Sequence, residues 1–217
     1  MIDFSFVIPV YKTEKLLNRC LKSIKESFRG TNLSYELLLV DDGNIPPLQN
    51  KEFNCEILRH DVNRSCFQAR ISGFKQARGR WILTVDPDDV LIRMEWYKIR
   101  NYLQSTDADI LMFPQRRCFL PKFNSLLHRT LAKEVEYFSG DDLLKFYKER
   151  AGAWSITGKV FSANLVKKVV YFFSENKKEV YLNLSDDYAL TSCFIFCANK
   201  LILSGGGSIC TALGLVR

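Results

Sequence analysis

The chain of 217 residues contains 47% hydrophobic and 25% charged residues and carries a formal net charge of +7. These values are ordinary for a globular protein and exclude a disordered, collagen-like or coiled-coil chain. The basic residues are scattered, without an aromatic-interleaved basic stripe or zinc-ligand spacing, so we expect no nucleic-acid partner. The seven cysteines form an odd set without a C-x-x-C pair, which argues against a disulfide framework and favours a reducing compartment.

The beginning of the chain does not resemble a signal peptide, because Asp3 lies where a positively charged region would be. The most apolar late stretch, residues 193–204, is too short to span a bilayer. We therefore expect a soluble, cytoplasmic protein. Its positive charge is compatible with peripheral contact at the inner face of a membrane.

Strands and helices alternate along the first half of the chain. Apolar runs predict strands, and apolar residues at helical spacing predict helices. In chain order, the predicted elements are strand 4–8, helix 16–28, strand 35–40, strand 55–59, helix 67–78 ending at Gly79, strand 81–85, helix 93–104 and strand 109–113. This alternation is typical of an α/β, doubly wound, mostly parallel sheet with helices on both faces.

The pattern loosens beyond Pro114, where we place the boundary between two halves of one domain, 1–114 and 115–217. The second half is predicted to be smaller and more variable. Its predicted elements are a long connection with a hairpin at 115–140, helices at 141–150, 164–170 and 186–198, and a flexible turn at 204–208.

The predicted strand 81–85 runs directly into Asp86, Asp88 and Asp89. In an open α/β sheet, ligands bind at the carboxyl ends of the strands. Three carboxylates within four residues repel one another unless a cation joins them, and hard divalent cations prefer oxygen ligands. The segment therefore predicts a Mg²⁺ or Mn²⁺ site shared with a diphosphate. The alternative is a polar turn, because Pro and Asp are also turn formers.

Two other strands of the first half end in residues suited to the same crevice. The second predicted strand leads into Asp41 and Asp42, and the first leads into Pro9 and Tyr11. Because the carboxyl ends of parallel strands meet at one edge of a sheet, we expect these residues to line one shared cleft.

These segments together resemble the family 2 glycosyltransferases of the GT-A fold. The matches are 6–12 to VIIPVYN, 39–44 to VDDGS, 63–73 to parts of NxGxxxARNxG, 77–83 to AKGEYIL and 86–89 to the metal-binding DxD segment. As a set in this order they are specific. The chain departs from the family at Lys12, Ser65 and Ile71, where Asn, Gly and Asn are common.

The resemblance implies an enzyme that moves a sugar from a nucleotide-diphosphate sugar, usually a UDP-sugar, to a hydroxyl group with inversion. The implied acceptor is a saccharide or a lipid-linked saccharide, in cell-surface glycan or polysaccharide synthesis. It also implies Mn²⁺ or Mg²⁺ coordinated by Asp88, with Asp86 coordinating through water or holding the ribose. Such a cation neutralises the departing diphosphate as a Lewis acid.

The resemblance also assigns the residues that would hold the nucleotide. Pro9 and Tyr11 would form the wall against which the base rests, and Asp42 would accept a hydrogen bond from a ring N–H. Arg70 would face the phosphates or support Asp42. The alternative for Arg70 is a solvated helix arginine, a common type that contributes little.

Two weaker matches lie in the second half. Residues 154–161 resemble a W-x-K segment that points at Lys159, and Asp186–Asp187 resembles the family's ED pair. Asp187 would then be the catalytic base that takes the proton of the acceptor hydroxyl, a task for which a buried or metal-proximal carboxylate can be tuned. The alternative is a helix start at Ser185, and both can hold because acids are favoured at helix N-termini.

Two other classes of function compete with a transferase. Asp86 and Asp88 after an apolar strand also match the first motif of haloacid-dehalogenase-type phosphatases, with Asp86 as nucleophile. That motif normally lies near the start of its domain, whereas here a long strand–helix region precedes it. A non-catalytic sugar-nucleotide binder or a nucleotidyltransferase is the third class, which the departures from the family pattern keep open.

Overall fold

The structure, a computed structural model, describes residues 1–92, 96–112, 115–118, 136–149, 154–175, 182, 186–203 and 208–212. Its elements, in chain order, are β1 (Phe4–Val10), α1 (Glu14–Ser27), β2 (Tyr35–Asp42), β3 (Glu56–His60), α2 (Ser65–Gln76), β4 (Trp81–Thr84), β5 (Val90–Ile92), α3 (Trp96–Thr106), β6 (Ile110–Met112), β7 (Gln115–Cys118), β8 (Glu136–Ser139), α4 (Gly140–Glu149), β9 (Lys159–Ser162), α5 (Ala163–Glu175), α6 (Asp186–Cys197), β10 (Lys200–Leu203) and β11 (Ser208–Ala212).

An eight-stranded sheet with the order β3-β2-β1-β4-β9-β6-β10-β8 forms the centre of the fold. The strands β3, β2, β1 and β4 are parallel, and β6 is parallel to β10. Only β9 and β8 run antiparallel to their neighbours in this sheet. The strands β5, β11 and β7 form a second, small sheet. The mostly parallel α/β architecture predicted from the alternation of elements is confirmed.

Two apolar cores lie on opposite faces of the large sheet. All seven residues of β1 are buried, as expected for a strand covered on both faces. On one face α1 packs through a single apolar stripe, made of Leu17, Cys20, Leu21 and Ile24, together with Trp96 of α3. On the other face, apolar residues of α2, α4, α5 and α6 form the second core. The carboxyl ends of β1, β2 and β4 are left open between the two layers.

The end of α2 differs from the prediction. The helix ends at Gln76, and Ala77 is already extended, so Gly79 is not a helix cap. Instead the Gly79 N–H donates to Ser5 Oγ at 2.7 Å. A Cβ atom on Gly79 would lie 2.6 Å from the Ser5 nitrogen, so glycine is required by the close approach to β1.

The prediction also lacked several short strands. The most important is β9, four residues that lie between β4 and β6 and join the two halves of the chain in one sheet. Pro114, the predicted boundary, lies outside the described residues, as do 119–135 with the predicted hairpin and 204–207 of the predicted turn. Within the described part of the chain, no helix is both long and apolar enough to cross a membrane.

Candidate active site

A cleft of about 630 Å³ opens where the carboxyl ends of β1, β2 and β4 meet. It is lined by the seven residues to which the family resemblance gave a role in binding or catalysis: Pro9, Tyr11, Asp42, Arg70, Asp86, Asp88 and Asp187. Asp41 and Asp89, which the acidic strand ends also suggested, do not line it. Asn63, Ser65, Cys66, Trp154 and Asp186 are among the further lining residues. The first half of the chain supplies one side of the cleft, and α6 with the segment before β9 supplies the other.

Asp42, at the end of β2, is held by a set of hydrogen-bond donors. Its side chain is only 2% exposed. Oδ1 lies 2.6 Å from His60 Nδ1 and accepts the backbone N–H of Arg64 at 2.9 Å, and Oδ2 accepts Asn63 Nδ2 at 2.9 Å. His60 Nε2 lies 2.9 Å from Ser72 Oγ. We call Pro9, Tyr11, Asp42 and Asn63 the Asp42 wall.

The neighbouring Asp41 has a different role, although the two acids read alike in the sequence. Its carboxylate accepts hydrogen bonds from the backbone N–H groups of Asn44 and Leu48, each at 2.9 Å. It also forms an ion pair with Arg59. Burial acts to raise the pKa of Asp41, but these hydrogen bonds and the guanidinium hold it below its ordinary value. Asp41 therefore fixes the turn after β2, and of this acidic pair Asp42 alone lines the cleft.

Tyr11 lies at the mouth of the cleft, with 39% of its surface exposed. Lys12 Nζ lies 4.9 Å from the centroid of the Tyr11 ring, within the range of a cation–π contact. The backbone N–H of Lys12 donates to Asn44 Oδ1 at 2.8 Å, and Lys12 has a φ of 56°. Asn tolerates this left-handed conformation better than Lys, and nothing in the structure explains why Lys stands at this position.

Arg70 is the centre of an ionic cluster at the end of β4, which is separated from the end of β2 and its Asp42 by β1. Its side chain is 3% exposed, and Nη2 donates to Asp86 at 2.7 Å. Nη1 donates to both Asp186 and Asp187 at 2.6 Å. The interpretation of Arg70 as a solvated helix residue is therefore wrong. The observed partners of Arg70 are these three acids, and Asp42 is held instead by His60 and the start of α2. We call Arg70, Asp86, Asp186 and Asp187 the Arg70 cluster.

Negative charge is in excess around this cluster. Five carboxylates and one guanidinium line the cleft among the described residues. Burial and the charge of Asp86 raise the pKa of Asp88. Burial, followed by Asp86 and Asp88, raises the pKa of the buried Asp89 to about 8. A cation bound at this end of the cleft would relieve that repulsion.

Asp86 and Asp88 fit a divalent cation that is shared with a ligand. Among the described residues, no group of three His, Cys, Asp or Glu side chains forms a preformed metal cage. Mg²⁺ typically binds through one or two carboxylates together with water and substrate phosphates, which requires no such cage. Arg19 Nη2 donates to the Asp88 carbonyl at 3.0 Å and so fixes the backbone that carries this carboxylate.

Asp187 lies in the first turn of α6 and faces the cleft. Burial raises its pKa, while Arg70 acts to lower it. Its Oδ2 lies 3.4 Å from the Ile156 nitrogen and 3.4 Å from Ser155 Oγ. Ser185, on which the interpretation as a helix cap rests, lies outside the described residues.

Lys159 is buried near Asp187 and does not line the cleft. It is 1% exposed, and Nζ donates to the Ser155 carbonyl. Burial lowers its pKa to about 7, and the charge of Asp187 opposes that shift. Lys159 thus supports the loop that contacts Asp187.

The contact between His60 and the cleft residue Asp42 was not predicted from the sequence. His60 lies in no recognisable motif, but a positional signal exists. His60 ends β3, which pairs in parallel with β2, and it lies directly opposite Asp42 in that pairing. A histidine at the end of a strand beside an acidic strand end is therefore a candidate for contact with that acid.

Comparison with known proteins identifies the family. The family model described as Glycosyl transferase family 2 matches residues 5–173. The chain is 27% identical over 213 residues to glycosyltransferase GlyG of Streptococcus pneumoniae, a match that covers 91% of this chain and 66% of GlyG. It is 30% identical over 122 residues to the poly(ribitol-phosphate) beta-glucosyltransferase of Bacillus spizizenii, covering 51% of this chain and 19% of that enzyme.

The fold also matches a solved structure. Staphylococcus aureus TarS in complex with UDP-GlcNAc superimposes with a TM-score of 0.71 at 18% identity, over 100% of this chain and 60% of that chain. The chain thus spans less than two thirds of the length of these relatives. Because the family model covers most of the chain, the protein belongs to glycosyl transferase family 2.

Proposed function

We propose that the protein transfers a sugar from a nucleotide-diphosphate sugar, with UDP as the nucleotide, to a hydroxyl group of a saccharide or lipid-linked acceptor. The transfer inverts the anomeric carbon and serves cell-surface glycan or polysaccharide synthesis. The observation that carries this proposal is the cleft itself: a single carboxylate, Asp42, lies at the end of β2, and the other carboxylates of the lining lie beyond β1, after β4 and in α6. A nucleobase fits the Asp42 wall, and a cation-bound diphosphate fits the side of the cleft that carries the Arg70 cluster.

The donor would lie across both walls. Pro9 and Tyr11 contact the face of the base, and Asp42 accepts its ring N–H. Asp88, with Asp86 directly or through water, holds Mn²⁺ or Mg²⁺. That cation supplies Lewis-acid neutralisation of the diphosphate leaving group. Arg70 fixes Asp86 beside the phosphates and Asp187 beside the acceptor, because it contacts both carboxylates.

Asp187 would remove the proton of the acceptor hydroxyl. A base must be unprotonated at the working pH yet basic enough to accept the proton, and burial raises the pKa of Asp187 in that direction. The acceptor then attacks opposite the departing diphosphate, so a single displacement inverts the anomeric configuration. The names of two relatives support this class of reaction, since one is a glycosyltransferase and the other a beta-glucosyltransferase.

Titration calorimetry with UDP, with and without Mn²⁺, tests the nucleotide and metal sites together. We expect Mn²⁺ to tighten UDP binding in the natural protein and to have no effect in Asp88→Asn, because that variant removes a charged ligand. Asp141→Asn, which changes an exposed acid in α4, is the matched control and should keep the metal effect. Equal UDP affinity with and without metal in the natural protein would refute the metal role.

Product analysis separates the transferase from its two rivals. A transferase slowly hydrolyses its donor UDP-sugar to UDP and free sugar, whereas a non-catalytic binder leaves the donor intact. A phosphatase turns over an aryl phosphate and forms a phosphoaspartate at Asp86. Turnover of an aryl phosphate that disappears in Asp86→Asn would therefore overturn the assignment.

A further inference from the structure

We infer that His60 is a positioning residue that sets base specificity: it fixes Asp42 so that the carboxylate presents one acceptor site to the cleft. The protein then selects nucleotides whose base carries a ring N–H at the recognised edge. Uracil and thymine have this donor at N3, and guanine has it at N1. Cytosine and adenine have an acceptor nitrogen at the corresponding place. This inference rests on the proposed function, in which Asp42 meets the base.

The contact between His60 and Asp42 is built into the fold. The two residues are direct partners in the β2–β3 pairing, and their side chains are 6% and 2% exposed. An ionised carboxylate can only accept, so at 2.6 Å the proton of this contact belongs to His60 Nδ1. Ser72 Oγ, 2.9 Å from Nε2, fixes the ring from its far side. Ser72 belongs to α2, so three separate elements determine the orientation of this imidazole.

The acceptor positions of Asp42 are almost all filled by the protein. A carboxylate offers about four lone-pair sites, two on each oxygen. His60 Nδ1 and the Arg64 N–H fill both sites of Oδ1, and Asn63 Nδ2 fills one site of Oδ2. With respect to the described residues, one site of Oδ2 is left for a ligand. A donor on the ligand completes the set, whereas an acceptor placed there repels the carboxylate.

His60 is the part of this arrangement that the family resemblance does not supply. Without it, Oδ1 loses a short hydrogen bond and the carboxylate gains freedom to rotate. Oδ1 could then take the place of Oδ2, and water could enter to bridge to an acceptor nitrogen. The loss of His60 should therefore affect the preference for a ring N–H more than it affects binding of the diphosphate.

Calorimetry with UDP and CDP in the presence of Mn²⁺ tests the inference, because the two ligands share the ribose and diphosphate and differ only in the base, at N3 and at the group on C4. We expect the natural protein to prefer UDP. In His60→Ala the ratio of the two affinities should fall by about tenfold, because a mobile Asp42 no longer favours UDP by one hydrogen bond from N3–H to a charged group. His60→Asn, whose amide can donate from near the position of Nδ1, should restore much of the ratio. Ser72→Ala should lower it by a smaller factor.

Arg59→Ala is the matched control. Arg59 is the neighbour of His60 in β3, but it contacts the carboxylate of Asp41 instead of that of Asp42. This variant should lower the melting temperature and leave the UDP-to-CDP ratio unchanged, so it separates lost stability from lost positioning.

The possible outcomes keep this inference distinct from the proposed function. If the natural protein binds no nucleoside diphosphate, the proposed function fails. If it prefers UDP while folded His60→Ala keeps the same ratio, the inference about His60 fails alone. The inference also fails if His60→Asn behaves like His60→Ala, or if Arg59→Ala lowers the ratio equally. Should His60→Ala not fold, Ser72→Ala decides, because an unchanged ratio in that variant contradicts the inference.

Discussion

The Asp42 wall and the Arg70 cluster stabilise buried carboxylates in different ways. Asp42 accepts hydrogen bonds from β3 and from the residues at the start of α2, so three of its about four acceptor sites are filled before any ligand binds. In the Arg70 cluster, three carboxylates share one guanidinium, and the pKa of Asp187 is raised. The Asp42 wall thus suits hydrogen bonding to a ligand. The Arg70 cluster has an excess of negative charge, which favours binding of a cation and a raised carboxylate pKa.

The difference also reflects how far apart the partners are in the chain. Asp42 and His60 are 18 residues apart and lie on paired strands. Arg70 and Asp187 are 117 residues apart, and their contact exists only because β9 enters the sheet beside β4 and brings the second half of the chain over α2. The Asp42 wall is therefore formed by the first half of the chain alone, whereas the Arg70 cluster requires both halves.

Among substitutions in the Arg70 cluster, Asp187→Asn should have the largest effect, a loss of turnover. The amide keeps the shape of the side chain but cannot take a proton, and positioned general-base catalysis is worth about 10²–10⁴-fold. Turnover with the true acceptor should fall by about that factor, while UDP affinity stays the same. Because burial raises the pKa of Asp187, turnover of the natural protein should rise with pH through that raised pKa, and the variant should lose this rise.

Asp186→Asn is the matched control for that substitution. Asp186 lies in the same turn of α6 and contacts the same nitrogen of Arg70 at the same distance of 2.6 Å. It should keep most of the turnover and the pH dependence. Near-normal turnover in Asp187→Asn would remove its role as a base, and a product with retained anomeric configuration, measured by NMR, would rule out a single displacement.

Arg70→Met should have the next largest effect, this time on stability. The substitution leaves three carboxylates without their shared cation, and removing one partner from a buried ionic group costs about 3–5 kcal/mol. Denaturant unfolding should show this loss in the free energy of unfolding. Adding Asp187→Asn to Arg70→Met should recover part of it, because one of the uncompensated charges is then gone.

Arg78→Met provides the comparison for Arg70→Met. Arg78 also contacts two acids, Glu36 and Glu56, but it lies on the surface, where ion pairs contribute little. Its removal should change the unfolding free energy far less than the removal of Arg70. Equal losses in the two variants would show that burial does not distinguish these clusters.

The sequence predicted the first half of the fold well, because its strands are continuous apolar runs and its helices have one apolar stripe. It also predicted the seven candidate site residues that line the cleft: those at strand ends because such positions mark the open edge of a parallel sheet, and Arg70 and Asp187 through the family resemblance alone. It did not predict β9, whose four residues are too few for a periodic pattern and lead directly into α5. The strand pattern alone could not separate Asp41 from Asp42, because their partners are set by tertiary contacts, and only the family resemblance singled out Asp42.

The smallest expected effect concerns Ser65, the residue that links the two walls. Ser65 follows Arg64, whose N–H holds Asp42, and it begins α2, which carries Arg70. Its φ is 85°, in the left-handed region that glycine tolerates best, and glycine is common at this position in the family. Its buried Oγ has no hydrogen-bond partner among the described residues. The link between the walls is therefore strained.

Comparing Ser65→Gly with Ser65→Ala isolates that strain, because both variants remove the hydroxyl and only Ala keeps a Cβ. Left-handed backbone costs a residue with a Cβ about 1–2 kcal/mol, whereas Gly loses about 0.4–1 kcal/mol through its more flexible unfolded chain. Ser65→Gly should therefore unfold with a free energy about 0.5–1 kcal/mol higher than Ser65→Ala. At an ordinary helix position the sign is reversed, since Ala is favoured over Gly by about 1 kcal/mol. The sign of the difference in unfolding free energy between the two variants, measured by denaturant unfolding, is therefore the test. A more stable Ser65→Ala variant would show that the backbone at Ser65 is not strained.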